Sequence, residues 1–169
     1  MSGKKNKDIL LSAVVVAHNE EEHLDACLQS IAFADELVVV LDKCTDRSKE
    51  IAKKYTKNII EGSWDIEGAR RNVALKNCQG KWIMEIDADE RVSDLLQQEI
   101  MEVINNNHGC NFSAKMDNHV GERSINRGWL RTIAVDKRQF INFKGNKKYL
   151  EDRSLHPEIK LKGEVKMLK

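Results

Sequence analysis

Residues 10–17 form an almost unbroken apolar run rich in valine, which stops abruptly at His18-Asn19-Glu20. A run of this length with no polar alternation predicts a strand buried on both faces, the kind found inside parallel sheets. Such a strand needs helices over it, and the chain supplies them. Leu24, Cys27, Leu28 and Ile31 fall at helical spacing, which predicts a helix over 21–33 with one apolar face. A second buried strand is expected at 36–41, ending at Asp42, followed by a helix over 45–55 that opens on the cap-forming Thr45-Asp46 and turns Ile51, Ala52 and Tyr55 to one side. After a short strand at 58–60 comes a third helix over 66–78, with Ala69, Val73 and Leu75 inward and Gly80 in the terminating turn. A strand at 81–86 then delivers Asp87-Ala88-Asp89, and Ser93 caps a fourth helix lined by Leu96, Ile100, Val103 and Ile104.

Four alternations of strand and helix in about a hundred residues predict right-handed βαβ units around a mainly parallel sheet, an α/β fold. Ligands of such sheets lie beyond the carboxyl ends of the strands. His18-Asn19-Glu20, Asp42-Lys43-Cys44 and Asp87-Ala88-Asp89 each follow an expected strand, so the three polar clusters should share one rim. Beyond Cys110 the pattern changes to shorter, partly exposed strands, with Phe112, Ala114 and Met116 alternating and further candidates at 132–135 and 139–143. A chain of 169 residues suits one domain. The expected division is a basic tail over 1–9 and a single domain over 10–169, in which the composition shift near residue 115 would separate a donor half, 10–114, from a smaller, mixed acceptor half, 115–169.

The charge is uneven. Residues 1–114 hold 14 basic and 20 acidic groups, whereas 115–169 hold 14 and 7. The total of 28 against 27 excludes a dedicated nucleic-acid binder. The basic half suits an anionic acceptor or a lipid headgroup surface, with an ordinary solvated exterior as the plainer reading. Cys27, Cys44, Cys78 and Cys110 form no close pair of the kind a zinc or redox site needs, which points to a reduced, cytoplasmic chain. Residues 1–8 are polar and Lys-rich with no apolar core of signal-peptide length, and no later apolar run approaches a membrane span, so any membrane contact is expected to be peripheral, at the inner face.

Asp87 and Asp89, separated by one small residue, can approach one hard divalent cation when a turn points both outward. Such a cation stabilises charge on a departing diphosphate. A turn and capping device is the plainer account of the same tripeptide. Asp42 can accept from a nucleobase, Asp46 suits a helix cap, and one of Arg70 and Arg71 can pair with phosphate or base while the other reaches solvent.

Four ordered stretches over residues 10–92 resemble family 2 glycosyltransferases of the GT-A fold. They are Leu11-Ser12-Ala13-Val14-Val15-Val16-Ala17-His18-Asn19-Glu20-Glu21, Val38-Val39-Val40-Leu41-Asp42-Lys43-Cys44-Thr45-Asp46-Arg47-Ser48, Gly68-Ala69-Arg70-Arg71-Asn72-Val73-Ala74-Leu75 and Gly80-Lys81-Trp82-Ile83-Met84-Glu85-Ile86-Asp87-Ala88-Asp89-Glu90. Phe33-Ala34-Asp35-Glu36, Asp89-Glu90-Arg91-Val92-Ser93, Gly128-Trp129-Leu130-Arg131 and Leu155-His156-Pro157 are similar to the subgroup containing lipopolysaccharide core glucosyltransferases. The resemblance implies an inverting hexosyltransferase that takes a nucleotide diphosphate sugar, expected to be a UDP-sugar, with Mg²⁺ or Mn²⁺, and passes the sugar to a saccharide or lipid-linked acceptor of the cell envelope. It implies that Glu20 and Asp42 contact the base, Arg71 the base or ribose, Asp87 the ribose or metal, and Asp89 the metal. Glu151-Asp152 resembles the acidic pair that supplies the base, with Asp117 and Glu122 as competitors and His156 on the acceptor or diphosphate side. Lys43-Cys44 stand where relatives carry a second acidic residue, and the chain stops where relatives generally continue. Two other classes of function fit less well: a non-catalytic nucleotide-sugar or partner-binding relative, and a sugar nucleotidyltransferase, whose Gly-rich phosphate loop is missing after the first strand.

Overall fold

The structure is a computed structural model that describes residues 8–106, 110–120, 123–124, 137–151 and 156–168. Eleven strands and four helices occur among them: β1 (Leu11–Ala17), α1 (Leu24–Ser30), β2 (Glu36–Asp42), α2 (Ser48–Ala52), β3 (Ile59–Gly62), α3 (Glu67–Asn77), β4 (Trp82–Asp87), α4 (Asp94–Asn106), β5 (Asn111–Lys115), β6 (His119–Val120), β7 (Arg123–Ser124), β8 (Lys137–Phe143), β9 (Lys147–Tyr149), β10 (Ile159–Leu161) and β11 (Val165–Met167). Seven strands form one sheet in the order β11-β5-β8-β4-β1-β2-β3. β1 pairs in parallel with both β2 and β4, β2 with β3, and β5 with β11, while β8 runs antiparallel between β4 and β5. The expected α/β fold with a mainly parallel sheet is therefore present, and β4, β1 and β2 all end at the same rim.

The strand alternation builds two cores. Leu11, Ala13, Val15 and Ala17 of β1 join Val39, Leu41, Trp82, Met84 and Ile86 under α1, α2 and α4. Val14, with Val38, Val40 and Ile83, faces Ala74 and Cys78 at α3 on the other side. Trp82 anchors the larger core: its indole N–H donates to the Ile104 carbonyl, and it packs against the Phe112 and Phe143 rings at centroid distances of 5.6 and 5.3 Å.

Three expectations change in detail. α1 and α2 are shorter than their periodic windows, because 21–23, 31–33 and 53–55 form turns that are not continuous with the regular helix. α3 buries Gly68, Asn72 and Ala74, whereas Ala69 and Val73 are only half-buried. Gly80 does not adopt a left-handed turn; it lets the chain pass over β1, where an added Cβ would lie 2.6 Å from the Ser12 nitrogen. The candidate strand at 132–135 lies outside the described residues, while 139–143 falls within β8. No helix among the described residues is long and apolar enough to cross a membrane.

Candidate active site

The β1 and β2 exits are stitched together by local polar bonds. Asn19 and Lys43 both take positive φ, 55° and 52°, so each strand turns sharply as it leaves the sheet. The His18 ring Nδ1 donates to the Asp42 carbonyl at 2.6 Å, and the Thr45 N–H donates to Asn19 Oδ1 at 2.8 Å. Asp46 receives the N–H groups of Ser48 and Glu21, so it satisfies the first N–H of α2 from one residue before the N-cap position, Arg47. Burial pushes its pKa up, but these donors outweigh burial and the net shift is down.

Asp42 is buried, with Oδ1 accepting from the Trp64 N–H at 3.0 Å and Oδ2 paired with Arg70 Nη1 at 2.7 Å. Glu20 sits half-buried at the same rim, its N–H donating to Ser48 Oγ. Neither arginine of α3 reaches out to solvent: the Arg70 and Arg71 side chains are 23% and 17% exposed. Arg71 donates from Nε to Glu67 at 2.8 Å, pairs with Asp87 Oδ1 at 3.3 Å, and lies 5.6 Å from the Tyr149 ring centroid. Burial works to lower the Arg71 pKa, yet Asp87, Tyr149 and Glu67 together raise it. Glu67 responds in kind. Burial raises it, but the Arg71 side chain and the His156 N–H bring it below the ordinary glutamate value.

Beyond these groups opens a cleft of about 1090 Å³, walled by Arg71, Asp87, Asp89, Lys115, Tyr149 and His156 among others. Asp89 is exposed at its mouth. The turn that carries it is closed by a reciprocal bracket, in which the Asp87 N–H donates to Glu90 Oε2 at 2.8 Å and the Glu90 N–H donates to the Asp87 carbonyl at 2.9 Å. Among the described residues no three His, Cys, Asp or Glu side chains converge into a cage for a metal ion. A hard cation here would take one or two carboxylates from the chain and its other ligands from diphosphate and water, the usual arrangement for Mg²⁺ beside phosphates.

Lys147 and Tyr149 also line the cleft, and neither they nor the buried carboxylate behind them were singled out in the sequence. Glu85, buried in β4, receives Lys147 Nζ at 2.7 Å and the Tyr149 hydroxyl at 2.7 Å, and Lys147 lies 4.9 Å from the Tyr149 ring centroid. The readable signal was Glu85 itself, a carboxylate inside an apolar strand that demands a buried partner. Of the base candidates, Glu151 is exposed and accepts from Asn72 Nδ2 at 2.8 Å, and it does not line the cleft. Asp117 does line it, while Asp152 and Glu122 lie outside the described residues. His156 takes a φ of 53° and donates its N–H to Glu67 Oε2.

Residues 12–157 match the family model described as Glycosyl transferase family 2. The lipopolysaccharide core biosynthesis glycosyltransferase LpsC of Rhizobium meliloti (strain 1021) is 29% identical over 129 residues, covering 71% of this chain and 43% of LpsC. The poly(ribitol-phosphate) beta-N-acetylglucosaminyltransferase TarS of Staphylococcus aureus (strain Mu50) is 28% identical over 117 residues, covering 62% of this chain and 20% of TarS. The chain thus spans less than half the length of these curated relatives. Among solved structures, S. aureus TarS 1-349 in complex with UDP-GlcNAc superposes with a TM-score of 0.57 at 27% identity, over 70% of this chain and 37% of that one. Glucosyl-3-phosphoglycerate synthase from Mycobacterium tuberculosis with Mn²⁺ and UDP gives 0.51 at 19% identity, over 63% and 43%, a likeness of fold alone. The sheet is that of the GT-A glycosyltransferases, and with the family match running from β1 through the whole rim to His156, this chain belongs to glycosyl transferase family 2.

Proposed function

We propose that this domain transfers a hexose from a UDP-sugar to a saccharide or lipid-linked acceptor of the cell envelope, inverting the anomeric centre by direct displacement. The observation that carries the reading is the asymmetry of the carboxylates at one sheet rim: Asp89 stands exposed at a wide cleft while Asp87, two residues back, is held by Arg71. A Mg²⁺ or Mn²⁺ ion bound there with the donor would neutralise charge on the departing diphosphate. Asp89 and Asp87 would hold it, and Arg71 would orient the donor from the α3 side. Glu20 and Asp42 belong to the base-binding side, with Asp42 acting through the Arg70 and Trp64 contacts that fix its position. Asp152 takes the proton of the acceptor hydroxyl, while Glu151 is itself held by Asn72. The relatives support these substrates, since LpsC is named for lipopolysaccharide core and a TarS structure holds UDP-GlcNAc.

The reading is tested by calorimetry of UDP binding with and without Mn²⁺. The native chain should bind UDP more tightly with the metal, and Asp89→Ala should lose that gain while keeping its melting temperature. A mutant that binds UDP and Mn²⁺ as tightly as the parent removes Asp89 from the metal site. A panel of nucleotide sugars in thermal-shift format then identifies the donor.

A further inference from the structure

Three of the four residues from Asp87 to Glu90 are acidic, and they occupy a turn at the surface. Mutual repulsion would splay such a turn unless something holds it. The Asp87–Glu90 bracket closes the turn on itself and Arg71 ties its first residue, Asp87, to α3, but neither grips the main chain around Asp89. Arg91 does. Its Nη1 donates to the carbonyls of Ala88 at 3.0 Å and Glu90 at 2.6 Å, and its Nη2 donates to the carbonyl of His23, 68 residues away at the start of α1, at 2.8 Å. The two carbonyls on the turn flank Asp89, so one planar guanidinium grips the main chain on both sides of the exposed carboxylate and ties it to a helix. Ala88, buried in the core, and Val92, whose N–H donates to Ser30 Oγ, fasten the same turn from beneath.

We propose that Arg91 is a positioning residue for Asp89: it lines the cleft, yet its work is to hold the carboxylate-bearing turn against α1 and not to touch the donor. The inference rests on the reading that Asp89 holds the divalent cation. Lysine cannot replace it, because a single ammonium has neither the plane nor the span to reach Ala88, Glu90 and His23 together.

The sign of one measurement separates positioning from electrostatics. Removing a positive charge beside a cation site should tighten metal binding if charge alone matters, whereas loosening the turn should weaken it. Mn²⁺ affinity is therefore measured on the full chain by electron paramagnetic resonance of the free ion, with UDP present and absent, for the native protein, Asp89→Ala, Arg91→Ala and Arg91→Lys. Asp89→Ala should abolish the binding. Arg91→Ala and Arg91→Lys should each weaken it about tenfold, the scale on which groups that orient a metal ligand act, while metal-free UDP binding and the melting temperature stay close to native. Mn²⁺ affinity unchanged or increased in both Arg91 variants, with Asp89→Ala defective, overturns the proposal. So does loss of metal-free UDP binding with Mn²⁺ affinity intact, which would make Arg91 a phosphate ligand. Native Mn²⁺ affinity in Asp89→Ala is a separate result that removes the metal assignment and the inference with it. If Arg91→Ala fails to fold, Arg91→Lys carries the comparison.

Discussion

Asp42 and Asp89 leave the same rim of the sheet in opposite states. Asp42 is sealed between the Trp64 N–H and the Arg70 guanidinium, so a donor contacting that region meets a rigid, charge-paired wall; Asp89 keeps an exposed carboxylate. Of the acidic pair, Glu151 is engaged by the Asn72 amide and does not line the cleft, so the proposed base is Asp152. Asp152→Asn should therefore reduce transfer by at least about a hundredfold, the low end of general-base effects, and leave UDP affinity intact in calorimetry. Unchanged turnover would return the role to Asp117. What was legible is placement: Asp42, Asp87 and Asp89 follow from strand ends and reach one rim, and Asp46 from its place just before α2, whereas Arg71 was singled out from Arg70 only by the family resemblance. What was not legible is pairing. That Asp42 takes Arg70, or that Glu85 meets Lys147 and Tyr149 more than sixty residues on, depends on a chain reversal that no local pattern records.

At the scale of elements, α3 and β9 act as one piece. Asn72 donates to the Tyr149 carbonyl and to Glu151, and accepts from the Tyr149 N–H, so a helix side chain completes the polar groups of an adjacent strand. This docking requires close approach, and Gly68 provides it: a Cβ there would stand 2.2 Å from the Leu150 carbonyl oxygen. In an exposed helix interior, Gly→Ala gains up to about 1 kcal/mol. Here the sign should reverse, with Gly68→Ala destabilising by about 1–3 kcal/mol, the range for overpacking, as read by urea denaturation; a stabilised variant would show that β9 yields freely. Periodicity pointed to Ala69 and Val73 as the inward face because it weighs only apolar residues. A face made of a glycine, an amide and an alanine carries almost no hydrophobic signal, although the sheet-facing stripes of α1 and α4, built from Leu24, Cys27, Leu28, Ile100 and Ile104, were plain.

Across the whole molecule, the two cores share their central strand. Val14 enters one and Val15 the other, so neither core can come apart without breaking β1 from its partners on both sides. Two cysteines report on this directly. Cys27 lies in the core under α1, Cys78 in the core under α3, and burial drives both thiols up to about 12, with the nearby carboxylates Glu36 and Glu85 adding to the effect at Cys78. At pH 8 each is almost wholly a neutral, inaccessible thiol in the folded chain, whereas unfolding returns it to an ordinary pKa near ~8.5 and makes it reactive. Alkylation followed residue by residue along a urea series should give Cys27 and Cys78 the same midpoint, as one cooperative unit requires. Half-buried Cys44 and Cys110 should react at lower urea. Adding UDP with Mn²⁺ should then move the Cys27 and Cys78 midpoints upward together, because a ligand that binds only the folded rim stabilises everything that melts with it. Separate midpoints, or a ligand shift confined to one cysteine, would mean that the cores on the two faces of the sheet unfold independently and that β1 does not couple them.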